Sequence, residues 1–242
     1  MRSISNSIRW NLSGFTSSKQ ASLLQTSIQT DGITPMKLLE IQSSVRLDRS
    51  ISRALSHEFI QAWQNSHPNA LHKQQDVGMH PPAHPTELWT TANYLPPDSR
   101  TPEMETALAA SEQLIEELLW ADRLLLGVPM YNFSVPSTFK AYLDNIVRVN
   151  RTFAFDSANF TFKGLAIGKK ALVITPSAGD FAPDTPMGSL NFCETYLRSI
   201  LGFIGIEDIT IVAVPNQFMP DEIRQQSIEQ ARAKLMDLAT TW

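Results

Sequence analysis

From Met36 onward the chain alternates between short apolar runs and longer stretches whose apolar residues recur every three or four positions. The first kind reads as buried strand and the second as amphipathic helix. Met36–Gln42, Arg123–Val128, Lys170–Thr175 and Ile209–Val214 are the apolar strand candidates. Ala70–Val77 is a more polar one, expected nearer a sheet edge. Ser50–Gln64 carries Ile51, Leu55, Phe59, Ile60 and Trp63 on one helical face. Helices are also predicted from Thr101 to Trp120, with Thr101 as cap and Pro102 in the first turn, and over Ser137–Val149, Asn191–Ile204 and Asp221–Thr240. Thr152–Phe162 is aromatic and irregular, and reads as a hairpin leading to Gly164. Gly78 to Arg100, rich in Pro and His, reads as a loop.

Strands that each precede a helix predict an α/β fold, a five-stranded parallel sheet with helices on both faces. Right-handed crossovers then leave one topological switch point, with a ligand crevice beyond the strand ends. The loops after the first, third and fourth strands should line it.

Residues 1–35 break the alternation. They are rich in Ser and Thr, hold one acid (Asp31), and show no sustained periodicity. Three readings fit: a disordered tail, a transit-type presequence, or sequence upstream of a start at Met36. The last is favoured, because Met36 stands directly before the first strand. The folded domain is expected over residues 36–242.

With 43% hydrophobic and 18% charged residues, the composition describes a globular chain with a sizeable core. A formal charge of −4 speaks against nucleic acid as a partner. No apolar run approaches the ~18 residues of a membrane-spanning helix. The lone Cys193 provides no disulfide framework and suits a reducing compartment, the cytoplasm. His67, His72, His80 and His84 lie close in sequence, but their spacing matches no standard ligand pattern, so no metal is expected.

Candidate chemistry sits in three loops. In the first, Ser43 to Ser52, Ser44, Ser50 and Ser52 offer hydroxyls at a helix start, where free N–H groups form an anion seat. Ser50 is equally well explained as an ordinary helix cap. Arg46 and Arg49 stand ready to assist, and neither a Walker lysine nor a Gly-x-Gly-x-x-Gly is present. The second loop sets Met130, Tyr131, Asn132 and Phe133 between Pro129 and Pro136. Stiff backbone donors and flat aromatic faces suit a conjugated, acceptor-rich ring, although an aromatic core plug would read the same way. The third loop, Pro176 to Asp180, holds small residues that let a ligand approach the backbone, a weak signal alone.

Met36 to Trp63, Met130 to Phe133, Gly168 to Thr175 and Leu201-Gly202-Phe203-Ile204-Gly205-Ile206 together resemble the FMN-dependent NADH azoreductases. These are flavodoxin-like enzymes related to quinone reductases. The resemblance implies a homodimer with one FMN per subunit, NADH or NADPH as donor, and a quinone or azo acceptor reduced by two-step hydride transfer. It implies phosphate and ribityl contacts at Ser44 and Ser50-Ile51-Ser52, with Ile51 acting through its backbone. Ring contacts fall on Met130, Tyr131, Asn132 and Phe133. The family's Ser-Arg-Gly-Gly aligns with Pro176-Ser177-Ala178-Gly179, so only Gly179 carries over. Phe155 replaces a tyrosine common at the substrate site, and the Gly78 to Arg100 segment is implied to wall the partner's pocket. No side-chain acid or base is required, so no catalytic residue is named. A flavodoxin-like electron carrier or regulator without nicotinamide turnover shares the same loops.

Overall fold

A computed structural model describes residues 35–242, and the expectations for the preceding serine-rich segment lie outside the described residues. Five strands form one parallel sheet: β1 (Lys37–Gln42), β2 (Leu71–Asp76), β3 (Arg123–Gly127), β6 (Lys170–Pro176) and β7 (Asp208–Val214). Their order across the sheet is β2-β1-β3-β6-β7. A separate antiparallel hairpin joins β4 (Phe153–Asp156) to β5 (Thr161–Gly164), as the aromatic stretch predicts. The polar β2 lies at the edge, also as predicted.

Period-two geometry sends alternate residues of each central strand to opposite layers, and here both layers are apolar. Leu39, Ile41, Leu124, Leu126 and Val173 pack with helices α3 (Pro102–Trp120), α4 (Ser137–Ile146) and α5 (Phe192–Phe203) through Ile115, Phe139 and Leu197. Leu38, Leu125, Leu172 and Ile174 face the other way, onto α1 (Ile51–Ser66) and α6 (Asp221–Thr241) through Phe59, Trp63 and Leu235. The sheet is therefore covered on both sides. Each fully buried Leu or Phe contributes roughly 1.5–3 kcal/mol of transfer free energy.

The Gly78 to Arg100 segment departs from expectation, since it contains helix α2 (Glu87–Tyr94). Thr86 caps it, accepting from the Trp89 N–H at 3.2 Å. Eight residues between Pro-rich flanks show too little periodicity for the pattern to reveal. Tertiary contacts hold it: Trp89 and Ala92 pack on Leu108 of α3. The buried Arg148 guanidinium donates to Asn93 Oδ1, Ser111 Oγ and Glu112, at 3.2, 3.2 and 3.0 Å. Helix α4 also stops at Ile146, short of Val149; Thr152 Oγ1 donates to the Ile146 carbonyl at 2.6 Å and closes the chain into a turn.

Candidate active site

β1 and β3 are neighbours whose connections leave the sheet on opposite sides, and beyond their C-terminal ends opens a cleft of ≈ 480 Å³. That is the location and size expected of a small-molecule site in this topology. The loop after β1 forms one wall. Ser43 is anchored across the sheet, its N–H and hydroxyl both donating to the Gly127 carbonyl. Ser44 Oγ accepts from the Arg46 N–H at 3.2 Å. Arg53 draws the Ser44 and Arg46 carbonyls toward itself and holds both Asp76 oxygens at 2.6 and 2.7 Å. Burial raises the Asp76 carboxyl, but the Arg53 and Met79 hydrogen bonds outweigh it and hold its pKa below the ordinary value.

Ser50 caps α1 and also lines the cleft. Its hydroxyl accepts from Arg53 N–H and lies 3.2 Å from Ser52 Oγ. The N–H groups of Ile51 and Ser52 have no partner within the helix, as first-turn amides do not. Arg46 and Arg49 line the same wall, no carboxylate lines the cleft among the described residues, and α1 has no acid in its first turn. An anion is the natural occupant of this corner.

The loop after β3 forms another part of the cleft wall. Tyr131 and Ser134 exchange both backbone hydrogen bonds, at 2.9 and 3.0 Å, closing a two-residue turn. The turn residues Asn132 and Phe133 sit at φ 49° and 68°. Positive φ at both positions is the signature of a type I′ turn, in which Phe is costly. Met130 N–H donates to the Pro176 carbonyl at 2.8 Å. The backbone donors expected of this loop are thereby reduced, because the Met130, Tyr131 and Ser134 amides are consumed internally. Only Asn132 and Phe133 keep free N–H groups.

Ser44, Ser50, Ile51, Ser52, Met130, Tyr131, Asn132 and Phe133 all line this one cleft. Gly179 does not line it. Its carbonyl accepts from Ser177 Oγ and Asn216 N–H, and an added Cβ would meet only Phe181, at 3.8 Å. Phe155 lies on the exposed hairpin, against Phe162 at 5.1 Å between centroids, rather than in the cleft wall. Three lining residues went unassigned in the sequence: Phe181, Gln217 and Phe218. Phe181 meets Phe133 edge-on at 5.9 Å. Gln217 and Phe218 follow β7, whose loop pairs with the loop after β6 through Gln217 N–H to the Ser177 carbonyl and Phe218 N–H to the Ala178 carbonyl. His67 and His72 are otherwise engaged, stacked on Trp63 and bonded to Glu40 at 3.0 Å.

The class this fold and cleft define is the flavodoxin-like one, whose family model matches residues 36–238. An FMN-dependent NADH:quinone oxidoreductase of Nostoc punctiforme is 46% identical over 207 residues, covering 86% of this chain and 100% of that protein. A relative of the same description from Acidobacterium capsulatum is 36% identical, covering 84% of this chain and 99% of its own. The chain belongs to the FMN-dependent NADH:quinone oxidoreductase family. Among solved structures, an azoreductase from Bacillus anthracis matches with a TM-score of 0.78 at 19% identity, covering 86% of this chain and 100% of that one. An FMN-dependent NADH-azoreductase from the same species, in complex with FMN, matches at 0.73 and 22%, covering 84% and 99%. At such identities the likeness establishes the fold.

Proposed function

We propose that the cleft holds one FMN and that the chain is an NAD(P)H-dependent oxidoreductase for quinones and azo compounds. The observation that carries this reading is the convergence of a hydroxyl-rich helix start and a strained aromatic turn on one cleft. The residues present fit the group. An anion corner without carboxylates suits the phosphate, and two free amides suit an acceptor-rich ring. When bound, FMN supplies the redox chemistry, taking hydride from NADH or NADPH and passing it to the acceptor, with azo cleavage to two amines over two such cycles.

The protein's part is positioning. Ser44, Ser50, Ser52 and the Ile51 backbone bind the phosphate and ribityl chain, with Arg46 and Arg49 balancing charge. Met130, Tyr131, Asn132 and Phe133 bind the ring, and the Asn132 and Phe133 amides favour negative charge on it. Gly179 is a wall residue only if its loop shifts on binding. No residue of this set needs to titrate.

A homodimer completes the proposal. Phe155, Phe160 and Phe162 are 44, 81 and 59% exposed on one hairpin, an apolar surface that a second copy would cover. Phe155 would then face the acceptor in the assembled site. No described helix is long and apolar enough to cross a membrane, and a lone cysteine suits the cytoplasm. Steady-state NADH oxidation with menadione or methyl red tests the function. Turnover dependent on added FMN is expected; reducible flavin without turnover would make the chain an electron carrier instead.

A further inference from the structure

A second cavity, of ≈ 460 Å³, adjoins the cleft at the aromatic turn. Tyr131 and Asn132 line both spaces, so the two meet there. The other polar walls are Ser134, Ser137 and Lys140, which lead from the turn into α4, and Tyr196 of α5. Ser137 and Lys140 stand three positions apart on α4 and so share a face. No carboxylate lines this cavity among the described residues.

Lys140 Nζ donates to Asp144 Oδ1 at 2.6 Å, one turn further along α4 and outside the cavity lining. That bond raises the Lys140 pKa above its ordinary value, against partial burial, so the ammonium is charged at neutral pH. An ammonium has three donors, and Asp144 takes one. Burial raises the Tyr196 hydroxyl by more than the nearby Lys140 charge lowers it, so it too keeps its proton. The wall thus presents one cation and a set of neutral hydroxyls.

A quinone carries no charge and gains little from an ammonium. The nicotinamide dinucleotide carries two phosphate charges, one ribose away from the ring that must reach the flavin. The start of α1, with Arg46 and Arg49, is the seat of the FMN phosphate, so the donor needs an anion seat of its own beside the turn. We propose that Lys140, with the hydroxyls of Ser134, Ser137 and Tyr196, holds the diphosphate of the nicotinamide donor. Lysine suits phosphate as a compact charge that makes charge-assisted hydrogen bonds. This inference rests on the FMN reading, and its test separates the two.

The test uses the FMN-loaded protein, menadione as an uncharged acceptor, and two hydride donors: NADH, and reduced nicotinamide riboside, which lacks the diphosphate. Lys140→Met should raise KM for NADH roughly tenfold with kcat within about twofold, and move the riboside KM by about twofold or less. Lys140→Arg, which keeps the charge, should stay within about threefold of the wild type for both donors. ADP-ribose, which carries the diphosphate without the nicotinamide, should bind Lys140→Met roughly tenfold more weakly than the wild type by calorimetry. An unchanged KM for NADH, an equal rise for both donors, or no difference in ADP-ribose binding would overturn the role of Lys140 and leave FMN binding intact. Failure of the wild type to take up FMN would overturn the functional reading, and this inference with it. The Lys140 side chain is half exposed, and coincident thermal midpoints for wild type and Lys140→Met show that α4 is still folded.

Discussion

The Met130 amide donates to the Pro176 carbonyl at 2.8 Å, tying the loop after β3 to the last residue of β6. Pro176 has no N–H of its own to give, and its carbonyl is used to hold the neighbouring loop. The aromatic turn is therefore braced from below before any ligand arrives, and its geometry can be tested directly.

Asn132 sits at φ 49°, a value proline cannot adopt. Asn132→Pro should open the turn and weaken FMN binding by roughly tenfold or more, whereas Asn132→Gly, which reaches that φ without strain, should stay within about threefold. Fluorescence titration of both variants checks the pair; equal affinities would show that turn geometry does not govern binding.

Ser50 caps α1, the proposal adds a phosphate contact, and two ligands separate the two roles. Ser50→Ala should cost roughly 0.5–2 kcal/mol of stability as a lost cap. It should also weaken FMN binding while leaving riboflavin, which lacks the phosphate, nearly untouched. A parallel loss for both ligands would assign the effect to folding alone.

Gly78 lies outside the cleft yet touches its backbone. A Cβ there would meet the Ser44 carbonyl oxygen at 2.3 Å, which something must yield to accommodate. Gly78→Ala is expected to displace the Ser43–Ser44 segment and reduce FMN affinity with little effect on riboflavin. If FMN affinity holds while stability drops, the segment does not carry the phosphate.

Asp76 links acid stability to the same loop. Burial raises its carboxyl, but Arg53 and the Met79 amide lower it further, so the folded pKa lies below the unfolded one. Its stabilisation is therefore present above the ordinary carboxylate range and is lost as pH falls through the depressed folded value. Asp76→Asn should cost roughly 1–3 kcal/mol at pH 7 and flatten the acid limb of the stability profile. Urea midpoints across the acid range for both proteins are the measurement; parallel profiles would contradict the linkage.

Much of this was readable from residues alone, because the central strands are buried on both faces and so appear as unbroken apolar runs. The loops after β1 and β3 were legible for the same reason, since strand ends and helix caps bracket them. Helix α2 was not, because Trp89 and Ala92 supply too short a stripe and the element depends on Arg148, far along the chain. Phe181, Gln217 and Phe218 were missed because nothing local marks them. Only strand order brings the loop after β7 beside the one after β6. The free amides of Asn132 and Phe133 likewise emerge only once the Tyr131–Ser134 pair is seen.

The most direct measurement is a crystal structure of the chain with FMN. The phosphate should lie within hydrogen-bond reach, roughly 3 Å, of Ser50 and Ser52 hydroxyls, with the ring against Tyr131 through Phe133. Phosphate bound away from the start of α1, or a ring seated on another face of the molecule, would contradict the account.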